Sequence, residues 1–191
     1  MFAKLTIDFG GVNFPLPYRE PDKLYIGFVS VFSGCRRALR GNPCPDCQNP
    51  SLWSGVAIQK TLNWGDAYVP AEKLSEIESF VQKKTQLFSS INTPVEFFYC
   101  VLGGEPLDQH HMALEVVHQM VIRGSNKQLP SVLFTGYNDW HDPEIDPNVI
   151  QYIEDKIDYI KTGPYLGNAF KKENLETGLA TENQRWQKLA K

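Results

Sequence analysis

Two runs, LYIGFVSVF at 24–32 and VEFFYCVL at 95–102, carry apolar side chains at both alternating sets of positions, the pattern of strands buried on both faces of a sheet. Each is followed by a loop and then by a segment of helical period. After the first comes PAEKLSEIESFVQKKTQL, in which Leu74, Ile77 and Val81 share a face and Pro70 suits the first turn. After the second, which stops at Gly103 and Gly104, Ala113, Val116, Val117, Met120 and Val121 form an apolar stripe that Gly124 would end. SVLFTGY at 131–137, a helix carrying Val149, Ile150 and Ile153, and IDYIKTG at 157–163 repeat the theme. A first strand is expected near 5–9 and a last helix after Thr181. Strands alternating with helices pair in parallel through right-handed crossovers, so the expected class is α/β, a parallel sheet with flanking helices. Four or five such units fall short of the eight that close a full barrel, which leaves an open sheet or a partial barrel. In either form ligands collect at the carboxyl ends of the strands.

Nothing in the composition of the 191 residues shifts enough to mark a second domain, so 1–191 reads as one domain with a cysteine loop at 33–53 and a polar tail at 165–191. A net charge of -3, spread along the chain, argues against strong non-specific nucleic-acid binding. The amino terminus alternates apolar and polar residues, unlike an export signal, and no stretch is apolar long enough to cross a bilayer. No membrane association and a cytoplasmic location are therefore expected.

Three of the four cysteines fall within GCRRALRGNPCPDCQNPSLW at 34–53, directly after the first buried strand. With no export signal, that clustering favours a metal or redox role over disulfides. Thiolates from Cys35, Cys44 and Cys47 can hold three irons of a four-iron, four-sulfur ([4Fe-4S]) cluster and leave the fourth iron open to a substrate. Two other readings stand beside it. A structural zinc ion would need a fourth ligand such as His110 or His111, and CPDC resembles a thioredoxin-type redox pair that has no use for Cys35. Cys100, inside FFYCVL, reads as a small core residue. The second loop, GGEPL at 103–107, lets a ligand approach the backbone closely, or is a plain strand-to-helix turn with Pro106 in the first helical turn. His118 is expected on a helix surface and His141 in a loop. No Ser-His-Asp, Cys-His or paired-carboxylate constellation is apparent, so no side chain is assigned as general acid, base or nucleophile.

Together these residues resemble the radical S-adenosylmethionine (SAM) enzymes, in particular the activating proteins of anaerobic (class III) ribonucleoside-triphosphate reductases. CPDCQNPSLW resembles the family's cluster loop, GGEPL its SAM-amino-group loop, FTGY (134–137) its Thr-Gly-Tyr strand end, DYIKTGPY (158–165) its Gly-Pro-aromatic segment and TENQR (181–185) its Asn-Gln-Arg tail. The usual spacing in the family is C-x3-C-x2-C, whereas eight residues, RRALRGNP, separate Cys35 from Cys44 here. The resemblance implies a partial (βα) barrel of the radical SAM type, a [4Fe-4S] cluster on Cys35, Cys44 and Cys47, and SAM bound at the open iron. Gly103, Gly104 and Glu105 would hold the SAM amino group, with Thr135, Tyr137 and Lys161 as further candidate contacts. Asp46 would cap a backbone amide or meet the adenosine, or is an exposed loop acid. Arg36, Arg37 and Arg40 would offset cluster charge or face a partner, or form an exposed basic loop. The implied reaction is reductive cleavage of SAM to generate a glycyl radical. Its partners would be the large subunit of an anaerobic ribonucleotide reductase, a glycyl radical enzyme, and an electron donor such as flavodoxin. A compact radical SAM enzyme acting on a small molecule, of the 7-carboxy-7-deazaguanine synthase kind, and a non-catalytic zinc-binding interaction module are the alternatives.

Overall fold

The structure, a computed structural model, describes residues 3–9, 16–18, 20, 22–45, 47, 50–53, 71–90, 92–167, 179 and 181–190. Its strands are β1 (Ala3–Phe9), β2 (Leu24–Phe32), β3 (Val95–Gly103), β4 (Ser131–Phe134), β5 (Tyr159–Thr162) and β6 (Arg185–Lys188), hydrogen-bonded in that order into one sheet. β2 to β5 run parallel, and β1 and β6 are antiparallel edges. The sheet is not closed, and the class is α/β with flanking helices. The helices are α1 (Arg36–Leu39), α2 (Ala71–Ser89), α3 (His111–Ser125) and α4 (Pro147–Lys156). Among the described residues no helix is long and apolar enough to cross a membrane.

The period of two in the buried strands divides the core. Ile26, Phe28, Phe32, Phe97, Tyr99, Val101, Leu133 and Ile160 face the helices and pack with Ile77 and Val81 of α2, Leu114 and Val117 of α3, and Val149 and Ile153 of α4. The alternate residues Tyr25, Val29, Phe98, Cys100 and Val132 form a second cluster with Leu16, to which, among the described residues, no helix contributes. Cys100 is thus a core residue, as expected. Of the α3 stripe, Ala113, Val117 and Val121 are buried, and Leu114 joins them. Pro70 lies outside the described residues.

Three expectations are corrected. No helix follows Thr181 among the described residues: RWQK forms β6, which covers the outer edge of β5 and sets Trp186 edge-on to Phe134 at 5.3 Å between ring centroids. Four residues are too few for a helical or alternating period to be read. His118 is buried, because α3 turns it towards α4, where its Nδ1 hydrogen-bonds the Tyr152 hydroxyl at 3.0 Å while its ring lies 4.8 Å from that of Tyr99. Gly124 does not end α3; Asn126, left-handed at φ 51°, caps it. Gly124 is where α3 meets α2, and a Cβ there would lie 2.7 Å from Cβ of Ile77. Gly124→Ala should therefore lower stability by about 1–3 kcal/mol, because two helices must separate. A chemical-denaturation midpoint equal to that of the wild type would contradict this packing.

The pairing register places the loops. All nine residues of β2 and β3 pair in parallel, from Leu24 opposite Val95 to Phe32 opposite Gly103. The cysteine loop and the Gly-Gly turn therefore leave the sheet at the same height. Val101 opposite Leu133 and Phe134 opposite Lys161 continue that level across β4 and β5.

Candidate functional site

The cysteine loop is closed at its base. Gly34 N–H donates to the Leu52 carbonyl at 2.7 Å, and Cys35 N–H to that of Trp53 at 3.3 Å, so residues 34 and 53 are held side by side. Cys35 has extended backbone at the N-cap of α1 and accepts the Leu39 N–H at 3.0 Å. Gly41, at φ +78°, reverses the chain, and Asn42 N–H returns to the Arg37 carbonyl at 2.9 Å. The eight residues between Cys35 and Cys44 are thus a turn of helix and a reversal, which brings the chain back on itself. Cys47 N–H donates to the Cys44 carbonyl at 3.2 Å, and Trp53 Nε1 donates to Cys47 Sγ at 3.3 Å.

All three thiols are free, Cys35 buried and Cys44 and Cys47 half-buried. Burial pushes the Cys35 thiol up, with smaller contributions from Glu105, Asp108 and Cys44. Among the described residues no three Cys, His, Asp or Glu side chains gather as a single metal-ion site. A single zinc ion needs its ligands on one point. A four-iron cluster instead takes each thiolate on a different iron, and three soft sulfur donors from one closed loop fit that demand in type and number. Asp46 lies outside the described residues.

The glycine turn seats directly on this loop. Gly104 N–H donates to the Phe32 carbonyl and Glu105 N–H to that of Gly34, each at 2.8 Å. A Cβ on Gly104 would stand 2.5 Å from the Gly34 oxygen and 2.8 Å from that of Leu52, so only glycine permits the approach. Pro106 starts a separate one-turn 3-10 helix, Pro106–Asp108, ahead of α3. Gln109, buried, donates Nε2 to the Glu105 carbonyl at 2.9 Å.

Glu105, 2% exposed, ties the end of β3 to the end of β4. Its carboxylate accepts from Thr135 Oγ1 at 2.7 Å, from Gly136 N–H at 2.8 Å and from Leu107 N–H at 3.1 Å. Burial nevertheless outweighs these donors and holds its carboxyl up to about 7, against an ordinary value of 4.5. The folded state therefore binds the extra proton, and stability falls as pH rises from about 4.5 to 7. The contribution is on the order of 3 kcal/mol. In Glu105→Gln that slope should flatten in denaturation measured between these limits; an unchanged slope would contradict the assignment.

A second network surrounds the first. Tyr137 hydroxyl donates to Asp108 Oδ1 at 2.8 Å, and the Arg36 N–H and guanidinium meet the same carboxylate. Burial and the Asp108 hydrogen bond push the Tyr137 hydroxyl well up. Arg36 also donates to the Glu144 carbonyl at 2.8 Å, and Arg40 pairs with the Glu144 carboxylate at 2.7 Å. Arg37 reaches the Gly136 carbonyl at 3.3 Å. The Asn-Gln-Arg tail acts as a clamp: Asn183 Nδ2 donates to the Pro164 carbonyl at 2.8 Å, Gln184 Nε2 to that of Gly163 at 3.3 Å, and Arg185 to that of Asn138 at 3.2 Å.

The structure thus brings Cys35, Cys44, Cys47, Gly103, Gly104, Glu105, Thr135 and Tyr137 onto one rim. The Thr135 and Tyr137 hydroxyls are engaged by Glu105 and Asp108, so both residues support the rim from within. Lys161 stands apart: its ammonium lies 4.8 Å over the Phe134 ring, and burial lowers it to about 8. His110 caps α3 by accepting the Met112 N–H, and His141 lies in an exposed loop. Asp108, Gln109 and Glu144 carry the networks without having been singled out from the sequence, together with Gly136 of the FTGY stretch. The first two follow GGEPL directly, which is the one local signal. No protein-family model, curated protein or solved structure matches the chain significantly.

Proposed function

We propose that this chain is a radical SAM activase, a partial (βα) barrel that reductively cleaves SAM at a [4Fe-4S] cluster and generates a glycyl radical on an anaerobic ribonucleotide reductase. One observation carries the reading: a three-thiol loop and a Gly-Gly-Glu turn, far apart in sequence, lock backbone to backbone at level strand ends through Gly34, Gly104 and Glu105. The open sheet, with helices packed on one face among the described residues, is compatible with a partial barrel.

Cys35, Cys44 and Cys47 would hold the cluster. When bound it would supply the one electron for reductive cleavage of the SAM sulfonium bond, the chemistry from which a glycyl radical on the partner would follow. The chain's own residues position. Gly103 and Gly104 let the turn pack against the Phe32, Gly34 and Leu52 backbone, so that the substrate amino group would meet the turn next to the cysteine loop. Glu105, its carboxylate engaged by three donors, holds that turn against β4. Lys161 offers a buried cation on the sheet face to which no described helix contributes, suited to a carboxylate. An external donor such as flavodoxin would supply the electron.

The decisive experiment is anaerobic reconstitution followed by addition of reductant, SAM and the reductase large subunit. About four irons per chain, 5'-deoxyadenosine and a glycyl radical doublet by electron paramagnetic resonance are expected. Colourless protein with one tightly held zinc and no SAM cleavage would overturn the reading.

A further inference from the structure

Three arginines project from the eight-residue segment between Cys35 and Cys44, and the structure separates their roles. Arg36 and Arg40, one helical turn apart, are spent on Glu144, and Arg36 also on Asp108. These contacts pin α1 against the rim. Arg37, between them, pairs with no carboxylate among the described residues. Its NH1 donates to the Gly136 carbonyl at 3.3 Å, and its Nε is buried without a hydrogen-bond partner among the described residues. A buried, unpaired guanidinium donor is costly unless something anionic completes it. Two groups that can carry negative charge lie at the glycine it holds: a Cβ built on Gly136 would stand 3.3 Å from Glu105 Oε2, whose carboxylate is already engaged by three donors, and 3.7 Å from Cys44 Sγ.

We propose that Arg37 is the counter-cation of the thiolate-held centre, and that α1 serves to deliver it there. The proposal rests on the activase reading and deepens it. A fixed positive charge held on the carbonyl of Gly136, the glycine that Cys44 Sγ approaches, favours the reduced, more negative cluster and so makes the cluster easier to reduce. Arg37 is thus a positioning residue acting on the cluster's charge, with no direct part in hydrogen transfer.

The test is the midpoint potential of the reconstituted protein without SAM, measured for the wild type, Arg37→Gln, Arg37→Lys and the control Arg123→Gln, which removes an exposed charge from the last turn of α3, each matched for iron content. Arg37→Gln should shift to more negative potential, Arg37→Lys should recover part of the shift, and Arg123→Gln should stay at the wild-type value. Arg37→Met, which keeps the aliphatic stem, is read in parallel in case the glutamine variant loads poorly. A wild-type potential in either cluster-loaded neutral variant, or an equal shift in Arg123→Gln, overturns the proposal. A wild type that takes up no four-iron cluster would sink the activase reading itself, a distinguishable result.

Discussion

In Cys44→Ala, release of 5'-deoxyadenosine from SAM should fall to background, a loss of more than about 100-fold, since disturbing even the outer partners of metal ligands costs 10–100-fold. Cys44 is the thiol on which the site converges. It lies beside Gly136, whose N–H is held by Glu105 and whose carbonyl is held by Arg37. Alanine there removes a sulfur donor without disturbing those hydrogen bonds, so folding should survive while iron content drops. The check is paired: iron per chain and 5'-deoxyadenosine by chromatography, with thermal unfolding as control. Full SAM cleavage in the variant would refute the ligand assignment. Cys100→Ala, by contrast, should retain cleavage, because Cys100 is wholly buried in the sheet core.

Gly104→Ala should cost about 3 kcal/mol or more of stability and release the cysteine loop from the sheet. The added methyl would meet backbone oxygens of Gly34 and Leu52, with no side-chain rotamer to give way. Relief requires moving the base of the loop, the same contact that holds residues 34 and 53 together. Loss of iron retention should accompany the lower melting temperature, by about 6–12 °C for a chain of this size. Gly41→Ala is the calibrating variant: a Cβ there meets nothing within 4 Å, and the only penalty is the left-handed φ of +78°. That variant should lose only about 1–2 kcal/mol. Equal effects at the two positions would show that backbone conformation, and not the seating of one loop on the other, dominates at Gly104.

Much of the fold was legible because its elements are long and periodic. The nine-residue strands β2 and β3 and the helices α2, α3 and α4 stand where apolar periodicity puts them. Short elements were not legible. The four-residue α1 lies hidden in RRALRGNP, a stretch whose helical turn depends on Arg36 and Arg40 finding Glu144 about a hundred residues away. β6 is recruited by the open edge of β5, which no local pattern reveals. His118 looks polar in sequence and becomes interior only because α4 supplies Tyr152. That the Glu105 carboxylate is engaged by Thr135 and Gly136 becomes visible only once β3 and β4 lie side by side.

By itself, the sequence determined the alternation of strand and helix, the placing of three thiols after one buried strand and a Gly-Gly turn after another, and hence that both loops lie at the same end of the sheet. These follow from local periodicity and chain order, to which short-range physics is sufficient. Only the tertiary structure decided that the two loops seat on one another, that the long cysteine spacing folds back, and which arginine of that segment has no carboxylate partner among the described residues. Each of those depends on partners distant in the chain, where hydrogen bonding and burial act only once the sheet has brought them together.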